Sequence, residues 1–178
     1  MTEQPVFTIG HSTRSSDEFL DVLKSYDIEV LADVRRMPGS RRLPQFDSST
    51  LQRSLSDHGI DYCWIAQLGG RRRPASGSPD SGWRHPAFRA YADHLASEEF
   101  ADGLFELLML AHGRRTAVMC AEVLWWRCHR RLIADVLVVL GLTVVHIFRA
   151  KKQELHRLAP PATLVGTELS YRSGLNGG

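Results

Sequence analysis

Short apolar runs alternate with amphipathic stretches along the whole chain. Residues 5–9 (PVFTI) end at Gly10 and predict a strand. Ser15 with Glu18 three residues on forms a capping-box signature, and Phe19, Leu20 and Leu23 follow at helical spacing. Residues 29–32 (EVLA) predict a second strand that delivers Asp33-Val34-Arg35 at its end. Residues 36–47 mix Pro38, Gly39 and Pro44 with arginines and read as a loop. Ser49 with Gln52 predicts a second capping box, opening a helix that stops near Gly59. Residues 60–65 (IDYCWI) predict a third strand, followed by a long polar loop from Leu68 to His85. Two helices fill 86–112, broken near Ser97. Residues 116–120 (TAVMC) and 142–148 (LTVVHIF) predict the fourth and fifth strands. Between them Leu132, Ile133, Val136, Leu137 and Leu140 mark an amphipathic helix closed by Gly141.

Strand–helix alternation of this kind predicts a three-layer α/β/α fold with a mostly parallel sheet of about five strands. Residues 1–158 read as one domain and 159–178, with Pro160-Pro161 and a Gly-rich end, as a loosely held tail. No repeat or second domain is visible. No apolar run reaches the roughly 20 residues of a membrane span, and MTEQPVFTIG lacks the pattern of a secretory signal. Three cysteines, an odd number, argue against a disulfide framework and suit a reducing cytoplasm. Nothing in the sequence speaks to oligomeric state.

Composition adds one feature. The formal charge is +2, but residues 33–89 hold ten Arg and five Asp, a local +5 that leaves −3 for the remainder. Arg suits bidentate contact with phosphate, so an anionic ligand is expected, although a solvated Arg-rich surface would look the same. A protein partner for these loops is a further reading.

Ligands of open parallel sheets bind beyond the carboxyl ends of the strands. Those ends carry Gly10-His11-Ser12-Thr13-Arg14, then Asp33-Val34-Arg35-Arg36, then Gly69-Gly70-Arg71, then Cys120-Ala121-Glu122 and Cys128-His129-Arg130. His11, Asp33, Cys120 and Glu122 are the catalytic candidates. Ser12, Arg35, Arg36, Arg41, Arg42, Gly69, Gly70, Arg71, Cys128, His129 and Arg130 are the candidates for holding an anion. Each has a plainer reading: a capping His11, an Asp33–Arg35 ion pair, and Cys120 and Cys128 as small buried apolar groups. A thiol in the first turn of a helix can instead have a depressed pKa.

The strings TIGHST (8–13), LADVRRMPGSRRLPQF (31–46), YCWIAQLGGRRR (62–73), YADHL (91–95) and MCAEVLWWRCHRRLIADVL (119–137) resemble a conserved bacterial and archaeal family, domain of unknown function 488. The resemblance covers about residues 6–148 and implies a shared site built from these blocks, without naming a reaction. One departure is the pair Trp125-Trp126, where the family usually has a more polar linker, often with proline.

Acid/base hydrolysis of a nucleotide or nucleic-acid substrate is the leading expectation. Asp33 and Glu122 would act as base and acid, His11 would orient the substrate, and arginines would position phosphates. Trp64, Trp83, Trp125 or Trp126 would stack on a base. A non-catalytic nucleic-acid or anion-binding module is the alternative from another class. Two Cys-centred readings stand behind these. A rhodanese- or phosphatase-like role would use Cys120, but its following loop lacks glycine. A deaminase-like zinc site would use Cys120, Cys128, His129 and His11. No cofactor is otherwise expected, because neither a dinucleotide fingerprint nor a Walker sequence occurs.

Overall fold

The computed structural model describes residues 4–174. Its centre is a six-stranded sheet in the order β3-β2-β4-β1-β5-β6. The five strands expected from apolar runs form as β1 (Val6–Gly10), β2 (Val30–Asp33), β3 (Asp61–Trp64), β4 (Thr116–Cys120) and β5 (Val144–Arg149), all parallel. The sixth, β6 (Lys152–Leu155), pairs antiparallel with β5. It escaped the sequence pattern because all four of its residues are exposed, so no apolar face advertises it.

Five helices cover the sheet: α1 (Ser16–Ser25), α2 (Ser48–Ser56), α3 (Pro86–His94), α4 (Glu98–Ala111) and α5 (Arg130–Val139). α1 and α2 bury Phe19, Leu20, Leu23, Leu51 and Leu55 with Phe7, Ile9 and Met119 on one face. Residues of α3, α4 and α5, among them Tyr91, Phe100, Leu107, Leu132 and Leu137, bury the other face with Val118 and Val144. The Ser15 capping box is made in full, and Ser97 caps α4 through Phe100 N–H. The second expected box is not. α2 begins two residues earlier, behind Asp47, and the Ser49 hydroxyl donates to the Asp47 carboxylate.

Residues 159–174, expected to hang loosely, instead carry the hairpin β7 (Thr163–Val165) and β8 (Glu168–Ser170). Tyr171 behind it is 2 % exposed and donates to Asp135 on α5. A buried tyrosine with a satisfied hydroxyl docks this segment onto the domain. Residues 175–178 lie outside the described residues. Among those described, no helix is long and apolar enough to cross a membrane.

Strand order decides where a site can form. The chain leaves β2 toward β3 on one side and leaves β4 toward β5 on the other, while β2 and β4 are neighbours. Oppositely directed crossovers open a crevice beyond the ends of that pair, the usual place for a ligand in such sheets.

Candidate functional site

A cavity of about 540 Å³ lies at this crevice, walled by Gly70, Arg71, His85, Phe88, Tyr91, Glu122 and residues 126–129. The loops after β3 and β4 and the start of α3 build it. Two glycines let the loops approach. A Cβ on Gly10 would stand 1.9 Å from the Glu122 carbonyl oxygen, so the loop after β4 can cross the end of β1 only over a hydrogen. A Cβ on Gly70 would stand 2.9 Å from His129 Nδ1, so this glycine seats the imidazole. The next residue, Arg71, holds φ at 58°, a left-handed value uncommon outside glycine and enriched at binding sites.

At the cavity floor Cys128 Sγ lies 2.9 Å from Cys120 Sγ and 3.4 Å from His129 Nδ1. His129 Nε2 donates to the Val34 carbonyl at 3.1 Å, which turns Nδ1 toward the thiol. Arg130 Nε donates to Cys120 Sγ at 3.0 Å. Cys128 sits just before α5, and among the described residues the His129 and Arg130 backbone N–H groups have no protein acceptor. Burial opposes ionisation of Cys128. The S–H of Cys120, the imidazole of His129 and the charge on Arg130 outweigh it, and the thiol lies well below its ordinary range. Cys120 goes the other way, raised by burial and by its proton-sharing contact with Cys128. Of the two sulfurs, Cys128, just before the α5 N-terminus, is therefore the one favoured to lose its proton, and Cys120 the one favoured to keep it.

Arg130 is 1 % exposed and fully engaged. Besides Cys120 it donates to Thr8 Oγ1 at 3.0 Å and to the carbonyls of Glu122 and Val123. From Thr8 a buried chain runs on: Thr8 Oγ1 to His146 Nδ1 at 2.6 Å, His146 Nε2 to His156 Nδ1 at 2.9 Å, and His156 Nε2 to Asp135 Oδ1 at 2.7 Å. Its polarity is fixed from both ends. Arginine only donates, so the Thr8 hydroxyl donates onward; Asp135 as a carboxylate only accepts. That direction places the His146 proton on Nε2, and His156 Nε2 donates to Asp135. Burial keeps His146 uncharged, with its pKa lowered to about 2, and Trp125 stacks on its ring at 4.2 Å. The docked Tyr171 closes the chain on Asp135.

The other expected residues are arranged differently. Asp33 is fully buried and accepts from the Arg35 backbone, from Arg35 Nε and Nη2, and from Tyr62 Oη at 2.7 Å. Arg35 Nη1 donates to the Phe46 carbonyl at 2.8 Å. These two residues clamp the loop after β2 and do not line the cavity. His11 is buried against Phe46, ring centroids 4.1 Å apart, and its Nδ1 donates to the Ser12 carbonyl at 2.7 Å. Burial lowers its pKa to about 4, so it is neutral. Ser12 turns with φ at 53°. Gly69 packs against the Arg36 backbone, which places the exposed Arg36 beside the cavity loop. Arg41 and Arg42 are exposed in the loop before α2. The zinc set is not assembled: His11 is turned to Ser12. Among the described residues no three His, Cys, Asp or Glu side chains are placed to hold a metal ion.

Of the catalytic candidates Glu122 lines the cavity, and Cys120 stands behind Cys128. Of the anion-binding candidates Gly70, Arg71, Cys128 and His129 line it, whereas Arg130 supports it from within. His85, Phe88, Tyr91, Trp126 and Arg127 were not singled out as site residues from sequence, apart from Trp126 as one of four stacking candidates. The YADHL block held the signal for one of them. Tyr91 donates to the Leu68 carbonyl at 2.6 Å and His94 Nε2 donates to that of Gln67, so both brace the loop carrying Gly70.

Residues 15–137 match the model of the family described as domain of unknown function DUF488. The chain belongs to that family. The matched span runs from the α1 cap to α5 and contains every segment that walls the cavity. No curated protein and no solved structure matches the chain significantly.

Proposed function

We propose that this family member is a hydrolase for a phosphate-bearing nucleotide or nucleic-acid end, and that Cys128 is its nucleophile. One observation carries the reading: a cysteine sulfur lining a strand-end cavity, 3.4 Å from an imidazole nitrogen and preceding a helix whose first amides are uncommitted. A nucleophile activated by a lowered pKa and an adjacent ring nitrogen is the arrangement covalent catalysis needs. Arg71 and Arg127 supply positive charge at the same cavity, and Trp126 and Phe88 supply flat apolar walls for a base.

In the first step the Cys128 sulfur bonds to the substrate's electrophilic centre, the bond to the leaving group breaks, and the leaving group departs as an anion that takes its proton from solvent. In the second, water attacks that centre and the carbon–sulfur or phosphorus–sulfur bond breaks, returning the thiolate. Glu122 lines the cavity with its side chain exposed and takes the water's proton in this step. Asp33 and His11 have no part in it.

Intact-mass spectrometry during turnover of a nucleotide panel tests the scheme. Glu122→Gln should accumulate an adduct on Cys128, and Cys128→Ser should form none and lose turnover. Full turnover by a folded Cys128→Ser variant would discard the proposal.

A second reading rests on Arg36, Arg41, Arg42 and Arg71, all exposed. A polyanion held by these residues would bind with steep salt dependence and would survive Cys128→Ser unchanged.

A further inference from the structure

Cys120 and Cys128 are in contact through their sulfurs. Cys120 is the last residue of β4, held by parallel pairing with Gly10 of β1. Cys128 ends the short helical turn Trp125–Arg127, eight positions later, at a loop–helix junction. Their sulfurs are 2.9 Å apart, and a disulfide has an S–S bond of about 2.04 Å. A shift of under about 1 Å closes it, and a loop–helix junction can absorb that without moving a strand. The two sulfurs differ in access. Both are buried, 6 % exposed for Cys128 and 3 % for Cys120, but Cys128 lines the cavity and Cys120 does not. The third thiol, Cys63, is elsewhere, donating to Glu106 Oε1 at 3.1 Å on the edge strand β3.

From this geometry we infer that Cys120 and Cys128 form a reversible disulfide in response to a hydroperoxide, with Cys128 reacting first and Cys120 resolving. The inference builds on Cys128 being the accessible nucleophile of the cavity, but it needs no substrate. In the first step the Cys128 thiolate attacks one peroxide oxygen. The O–O bond breaks, and hydroxide leaves, giving a sulfenic acid. In the second, Cys120 sulfur attacks Cys128 sulfur, the S–O bond breaks, and the departing hydroxide takes the Cys120 proton as water. Two electrons pass from the sulfurs to the peroxide, and a dithiol reductant returns them. Placement favours this order over further oxidation. The resolving thiol is already in contact with the sulfur that would carry the sulfenic acid, so condensation is intramolecular and prepaid in entropy. Arg130, donating to Cys120, stabilises the negative charge that develops on the resolving sulfur as its proton leaves.

The functional consequence follows from position. Oxidation consumes the thiolate at the cavity floor and leaves Arg71, Arg127 and Trp126 at its walls. The oxidised protein should still hold an anionic ligand and should not turn it over.

Reduced full-length protein treated with one equivalent of hydrogen peroxide tests this. The expected product is about 2 Da lighter, has lost two of its three thiols, and is restored by dithiothreitol. Peptide mapping should find Cys63 as the remaining thiol. Cys63 is a suitable internal control, because burial and the Glu106 carboxylate push it up to about 12. Cys120→Ser should stop at a sulfenic acid about 16 Da heavier, which dimedone captures on Cys128. Stable oxygen addition to the wild type without thiol pairing would overturn the inference, as would consumption of Cys63 or a disulfide between molecules. If Cys120→Ser does not fold, the wild-type mass and map decide alone. A disulfide that forms while Glu122→Gln traps no adduct removes the hydrolase reading only. No disulfide alongside a trapped adduct removes the redox inference only.

Discussion

At the end of β2, Asp33 takes hydrogen bonds from the Arg35 main chain, from its guanidinium and from Tyr62, and nothing is left over for a ligand. At the end of β4, one register step away in the same sheet, Cys120 touches Cys128 from the loop beyond, and a cavity opens above Cys128. Both clusters combine a strand end, an arginine and an acidic group. In the first, opposite charges meet bidentately and are sealed, which spends their chemistry on holding the loop. In the second, the arginine is tied from behind by Thr8 and two carbonyls, so it polarises the thiol pair without covering it. A dense polar cluster is therefore no guide to a reactive one. What separates them is whether every donor and acceptor already has a partner.

The comparison breaks first at Cys128. Cys128→Ser should lower turnover on the order of 10³-fold or more, while the unfolding free energy in urea changes by less than about 1 kcal/mol. Asp33→Ala should do the reverse. Removing the carboxylate leaves Arg35 buried and unpaired, at a cost of about 3–5 kcal/mol in urea unfolding. The Cys128 alkylation rate of the protein that remains folded should be little changed. If Asp33→Ala instead abolished thiol reactivity at full stability, the division between the two regions would be wrong.

Gly70→Ala sharpens the same contrast. Its methyl would sit 2.9 Å from His129 Nδ1 and push the ring off Cys128. A thiol pKa rising by one unit would move the pH midpoint of iodoacetamide labelling up by one unit, a slowing of about tenfold on the acid side of that midpoint. Labelling of the wild type should persist well below pH 8, and a profile centred on the ordinary thiol value would refute the thiolate assignment.

Acid should act on the sealed side. His11 in the folded protein resists protonation until about pH 4, and His146 until about 2, whereas both take up protons near 6.5 when unfolded. The unfolded chain binds more protons in that interval, so stability should fall as pH drops from about 6.5 toward 4. His11→Asn should flatten part of the slope in urea titrations across that range. The smallest effect belongs to the outer arginines. Arg41→Ala with Arg42→Ala should change turnover of a small nucleotide less than about twofold, yet reduce the salt slope of any polyanion binding by about 2.

Much of the architecture was legible in the chain. Apolar runs alternating with 3.6-period stretches imply buried parallel strands under helices, and the five parallel strands formed where those runs lie. The loops after β3 and β4 that line the cavity were legible too, since strand ends carry the ligand-facing loops, whereas the start of α3 was not. Local pattern could not rank the residues within them. Asp33 and Glu122 look equivalent as carboxylates just past strands, and only the fold brings Tyr62 and Phe46 to close over the first. His146 in an apolar strand and Asp135 on a buried helix face were signals of a polar chain, but the partners that satisfy them lie at positions 8, 156 and 171.

The amino-acid order by itself determined which segments become strands and helices, and which polar residues stand at their ends. Those properties follow from spacing along a few neighbouring residues. Tertiary structure alone decided that β2 and β4 lie side by side, that two thiols eight positions apart touch, and that one carboxylate is sealed while the other is exposed. These outcomes depend on hydrogen-bond partners distant in sequence, and satisfying a buried polar group is a question about three-dimensional neighbours.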